Sequence, residues 1–173
     1  MKLRYPVGGY EYTPETDDPR VVIYMNEIKS FPELLKNAIS GLSEEQIDTP
    51  YRPGGWTVRQ LVHHCADSHM NAFIRFKLAL TEDIPVIKPY EEAEWAKGED
   101  YKLPVEYSVA VIDNLHKRWG VLLDSLSPAD LERRYFHPGH NREFTVKEAV
   151  CHYAWHARHH LAHITSMRKR NGW

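Results

Sequence analysis

Eleven histidines stand among the 173 residues, and five of them (His152, His156, His159, His160 and His163) fall within twelve positions near the C-terminus. On a helix, His152, His156 and His160 recur at every fourth position and share one face, with His159 and His163 on its flank. Uncharged imidazole is the commonest transition-metal ligand, and two rings at i and i+4 can chelate one ion. A lone helical histidine is usually just packed or solvated. This cluster instead borders an apolar stripe, which favours ligation. Two ligands from one helix rarely complete a site, so a third is expected from another helix. The segment after Thr57 offers one: Gln60, His64, Asp67 with Ser68, Asn71 and Arg75 form a polar stripe at helical spacing, and it contains His64. His63 points about 100° away from that stripe. Three imidazoles from two helices leave coordination positions for water or substrate, unlike the closed shell of a structural zinc site.

Four helices are predicted to position these groups. The first 18 residues, with Pro6, Gly8, Gly9 and Pro14, read as an extended arm, and Pro19 suits the first turn of a helix running to about Ser40. Pro32 predicts a kink or short break near Ser30. Helix 2 starts at the Thr57/Gln60 capping box and runs to about Leu80, burying Leu61, Cys65, Ala72, Phe73, Phe76 and Leu80. Residues 81–104, with Pro85, Pro89, Gly98 and Pro104, read as a crossover from one end of the molecule to the other. Helix 3 covers about Val105 to Leu126. Helix 4 opens at a second capping box, Thr145 with Glu148, and continues to about Arg170. A weak internal repeat aligns Leu42-Ser43, Tyr51, Pro53-Gly54, Thr57-Val58 and His64 with Leu126-Ser127, Tyr135, Pro138-Gly139, Thr145-Val146 and His152. Two related helical hairpins joined by the crossover predict an all-α, up-down-down-up four-helix bundle in which helices 2 and 3 run parallel.

The length suits one domain spanning residues 1–173, with enough apolar residues for one sizeable core. The 22 Lys and Arg against 24 Asp and Glu form no run that would suit nucleic acid or a membrane surface. The N-terminus lacks the apolar region of a signal peptide, and no segment approaches the ~18 uncharged apolar residues of a membrane span. A cytoplasmic location is expected, and there Cys65 and Cys151 should be two buried thiols rather than a disulfide. His69, His116, His137 and His140 have no mutual spacing that indicates a second site. His116 lies next to an inward Leu115 and could enter the cavity.

The run Gly54 to Asn71 (GGWTVRQLVHHCADSHMN) together with Trp155 to Thr165 (WHARHHLAHIT) resembles the YfiT group of the DinB-like superfamily. The N-terminal Tyr-Pro-x-Gly and Phe76 to Thr81 (FKLALT) extend the likeness over nearly the whole chain. The resemblance implies the same up-down-down-up bundle, one divalent metal per chain of zinc or nickel type on His64, His156 and His160, and metal-dependent hydrolysis of a small molecule. It allows a homodimer. Other members of the wider superfamily transfer low-molecular-weight thiols such as bacillithiol, so a thiol S-transferase is the alternative. A non-catalytic metal-binding module is the third reading and would require a fourth protein ligand such as His152 or His163. The metalloprotease motif fails, because Ala157 follows His156 where the glutamate would stand. Asp67, one turn beyond His64, is the acid–base candidate, with Tyr153 and His152 behind it. Arg59, Arg75, Lys77 and Arg158 are candidate contacts for an anionic cosubstrate.

Overall fold

A computed structural model describes residues 3–11 and 20–173. Four long helices build the molecule: α1 (Arg20–Ile39), α2 (Val58–Thr81), α3 (Val105–Asp124) and α4 (Val146–Asn171). Both expected capping boxes form. Thr57 Oγ1 accepts from the Gln60 backbone while Gln60 Oε1 accepts from the Thr57 N–H, each at 3.1 Å; Thr145 and Glu148 do the same for α4. Each box satisfies two of the donors that a helix start leaves open. At the other end of α4, Arg168, Lys169 and Arg170 meet the negative pole of the helix, and Gly172 closes it at φ 70°.

Cross-helix contacts fix the directions. Lys29 pairs with Asp124 and Lys36 with Asp113, so α1 and α3 run antiparallel. His63 meets Ser108, His69 meets His116 and Phe76 meets Trp119, so α2 and α3 run parallel. Arg158 bonds Glu27 and Arg168 bonds the Ala38 carbonyl, so α4 is parallel to α1, while the pairs His64–His160 and Arg75–Tyr153 set it antiparallel to α2. The bundle is therefore up-down-down-up.

Three features differ from the sequence reading. Pro32 neither breaks nor ends α1, which runs as one helix through it. The two helices of each hairpin expected from the repeat do not pack side by side: α1 packs on α3 and α4, and α2 packs on the same two helices, leaving α1 and α2 on a diagonal. The segment between them, with one helical turn at Glu44–Ile47, crosses the end of the bundle. Finally, the polar turn before α4 contains an antiparallel hairpin, β1 (Arg134–His137) and β2 (Arg142–Thr145). The crossover joins it: Phe136 N–H donates to the Pro85 carbonyl and Ile87 N–H to the Phe136 carbonyl. Of the expected arm, residues 1–2 and 12–18 lie outside the described residues, as does Pro19. The described part rests on α4, with Trp155 Nε1 donating to the Gly8 carbonyl.

The core is divided. One apolar cluster contains Ile28, Phe76, Trp119 and Val150; the other contains Phe31, Leu35, Leu61, Ile112 and Met167. Between them, at the waist of the bundle, lie the rings of His64, His69, His116, His156 and His160, all buried. Cys65 and Cys151 are buried in the flanking layers, and no disulfide joins them. Among the described residues, no helix is long and apolar enough to cross a membrane.

Candidate metal centre

The helix registers place the three expected ligands together. On α2, Leu61, Val62 and Cys65 sink into the core and carry His64 with them. On α4, Tyr153, Ala157 and Ile164 do the same for His156 and His160. Exposures of 2%, 8% and 7% leave the three rings closed off from bulk solvent. The Nε2 atom of His156 lies 3.2 Å from Nε2 of His64 and 3.1 Å from Nε2 of His160. One nitrogen from each residue falls within 4.8 Å of the others.

This geometry fits a metal ion. Zn–N bonds of about 2.0–2.1 Å at tetrahedral angles separate neighbouring nitrogens by about 3.3 Å, close to the two short distances here. Without an ion the arrangement is poorly satisfied: three imidazole nitrogens face one another, and the opposite Nδ1 atoms of His64 and His160 are buried without a hydrogen-bond partner among the described residues. Burial pushes the His64 imidazole down to about 4, and the nearby His159 adds to the effect. Burial also holds His156 and His160 well below the usual imidazole range, reinforced first by each other or by His64. The rings are therefore neutral at physiological pH, the form a metal requires.

His152 and His163, the expected fourth ligands of a closed site, take other roles. The His152 ring centroid is 6.3 Å from that of His156, and His163 Nε2 pairs with His159 Nε2 at 2.9 Å while its ring stacks on Tyr51. Among the described residues, the three-histidine group has no fourth candidate.

Of the three rings, that of His156 lines a cavity of about 410 Å³, together with Ser68. Ser68 Oγ lies 3.4 Å from His156 Nε2. Arg75 enters from α2, donating through Nη1 to Tyr153 OH at 3.3 Å and through Nη2 to the Lys88 carbonyl at 3.5 Å; its buried Nε has no hydrogen-bond partner among the described residues. Tyr90 and Glu92 come from the crossover, and burial raises both their pKa values. The β-hairpin supplies His137, His140 and Arg142 at the rim. These rim residues escaped the sequence reading, because their place depends on a hairpin that the apolar pattern does not reveal.

Asp67 is not at this cavity. Its Oδ2 accepts from Tyr101 OH at 2.6 Å, on the side of α2 facing the crossover, and burial raises its pKa against that hydrogen bond. The other candidate cations are engaged elsewhere. Arg59 is clamped by Asp48 and Glu44, Arg158 pairs with Glu27, and Lys77 is exposed on α2. Of that set, only Arg75 lines the cavity.

Comparison with known proteins agrees with this architecture. The DinB superfamily model matches residues 27–164. A protein of Oceanobacillus iheyensis, provisionally named a metal-dependent hydrolase, is 52% identical over 173 residues and covered end to end by both chains. One of Bacillus mycoides with the same provisional name is 53% identical over 171 residues, covering 99% of this chain and 98% of the relative. Among solved structures, YfiT from Bacillus subtilis, described as a probable metal-dependent hydrolase with an unusual four-helix bundle topology, superposes with a TM-score of 0.96. It is 42% identical, and the match covers 100% of this chain and 99% of that one.

Proposed function

Since this chain belongs to the DinB superfamily, we propose that it is a metal-dependent hydrolase of a small molecule, acting through one divalent ion on His64, His156 and His160. The observation that carries the reading is the convergence of three neutral, buried Nε2 atoms, one of them on His156, which also lines a cavity. The provisional names of the relatives support the same class. Zinc and nickel are the ions we favour, since both accept an all-imidazole set. A bound divalent metal lowers the pKa of coordinated water toward ~7 and polarises a substrate oxygen.

The chain's own groups do the rest. Arg75, held by Tyr153 and the Lys88 carbonyl, lines the cavity and offers its guanidinium charge to an anionic or carbonyl oxygen of the substrate. Tyr153 OH and Ser68 Oγ stand between that guanidinium and His156 and orient a bound group. For proton transfer we place His152 ahead of Asp67. Its ring lines the cavity, and burial lowers it to about 4, so it is neutral and can accept or relay a proton. Asp67, bound to Tyr101, supports the wall of the crossover.

Thiol transfer is a second reading, favoured by the Arg75 guanidinium at the cavity, which suits an anionic thiol cosubstrate. The thiol would have to be supplied from outside, because Cys65 and Cys151 are buried and neither lines the cavity. A panel of carboxylic and phosphoric esters and amides separates the readings, assayed on zinc- and nickel-loaded protein with and without an added thiol. Metal-dependent cleavage without thiol is the expected result. Turnover only with a thiol and an electrophile would replace hydrolase by transferase, and a silent panel on metal-loaded protein would count against both.

A further inference from the structure

The metal ligand His156 differs from its two companions in having a partner for its second nitrogen. His156 Nδ1 lies 3.3 Å from His69 Nε2; His69 Nδ1 lies 2.8 Å from His116 Nε2; and His116 Nδ1 lies 2.8 Å from the backbone carbonyl of Ile28. The chain crosses the waist of the bundle from α4 through α2 and α3 to α1. His69 is 1% exposed and His116 3%.

A carbonyl oxygen can only accept a hydrogen bond, and this fixes every proton in the row. His116 must carry its hydrogen on Nδ1, which leaves Nε2 as an acceptor. His69 must then donate from Nδ1 and accept at Nε2. His156 must donate from Nδ1, and its Nε2 lone pair is left facing His64 and His160. Both rings are buried, which disfavours a second, charging proton on either.

The anchor itself has a cause in the sequence. Inside α1, the carbonyl of Ile28 would ordinarily accept from the N–H four residues on, but that residue is Pro32, which has none. The proline thus leaves the Ile28 carbonyl open toward His116 without breaking the helix. Because the row ends on a group that cannot take up a proton, it orients rather than conducts.

We propose that His69 and His116 are positioning residues for the metal centre: anchored on the carbonyl that Pro32 leaves open, they fix the tautomer and ring orientation of His156 so that its Nε2 lone pair points at the ion. The inference rests on the metal-site reading and not on hydrolysis. Outer partners of metal-bound imidazoles typically contribute 10–100-fold in affinity. The Nδ1–H form demanded here is also the less common one for imidazole in water, so it is a specific signature.

Two measurements test this without an assay of activity. In metal-free protein labelled with ¹⁵N at histidine, long-range ¹H–¹⁵N correlations at neutral pH should show the Nδ1–H tautomer for His69, His116 and His156. Zinc affinity measured by chelator competition should fall about 10–100-fold in His69→Phe, which keeps a ring in the space. It should recover in His69→Gln, whose amide oxygen can accept from His156 Nδ1. An Nε2–H tautomer at any of the three in wild-type protein overturns the proposal, and that readout stands even if the Phe variant does not fold. Wild-type affinity in a folded His69→Phe overturns it as well while leaving the metal site intact. Failure of wild-type protein to bind zinc or nickel would remove the metal-site reading and the proposal together.

Discussion

At the scale of single residues, the proposed site consists of neutral imidazoles in fixed positions and one cation, Arg75, at the adjoining cavity. Replacing His156 by Ala removes the ligand shared by both short nitrogen contacts, so stoichiometric zinc uptake should be lost while the far-UV helical signal stays. Global unfolding of that variant would make the ion a structural staple instead. Arg75→Ala should raise KM for anionic substrates roughly tenfold, the size of one charge-assisted hydrogen bond, and change kcat less. An unchanged KM across charged and uncharged substrates would take Arg75 out of binding. The clustering of His64, His156 and His160 was legible in the sequence because i, i+4 spacing and a polar stripe are local signals. His69 and His116 were not, since their pairing is a contact between α2 and α3 that no spacing along one helix encodes. Asp67 misled for a related reason: it lies one turn from His64, yet its carboxylate turns to Tyr101 on the crossover side.

At the scale of elements, the starts of the two ligand-bearing helices set the register of the site. Thr57→Ala removes the acceptor for the Gln60 N–H and should cost about 1 kcal/mol in urea-induced unfolding, with no change in metal stoichiometry. A loss of metal alongside a small stability change would mean that the cap, and not the core, holds His64 in place. Helix ends were legible to within a few residues wherever a capping box or a terminal glycine marks them. The effect of Pro32 was not. Taken alone, a proline predicts a break, but the carbonyl it orphans is taken up by His116, and Phe31 and Leu35 on either side are fully buried. The β-hairpin was missed because four-residue strands with a 3₁₀ turn at Pro138–His140 carry too little alternation to stand out from a polar loop.

At the scale of the whole molecule, a layer of uncharged histidines separates two apolar halves of the core, and this links folding to pH. His64 and His116 both have native pKa values of about 4, against about 6.5 in an unfolded chain. Between those values the unfolded chain binds protons that the native protein refuses. Stability is therefore full above about pH 6.5 and is lost as pH falls toward 4, by about 1.4 kcal/mol per pH unit for each such ring. The urea midpoint of metal-free protein should drop clearly between pH 7 and pH 5; an unchanged midpoint would contradict a waist of buried neutral rings. The bundle topology was legible from helix count, crossover length and family resemblance, whereas the diagonal placement of α1 and α2 required the contacts themselves. The proposed function requires this waist to hold one ion. It is tested most directly by elemental analysis of untagged protein, with His64→Ala and His160→Ala prepared in parallel. About one zinc or nickel per wild-type chain, lost in both variants, is the predicted result. Wild-type protein that carries no metal and takes up neither zinc nor nickel would contradict the account.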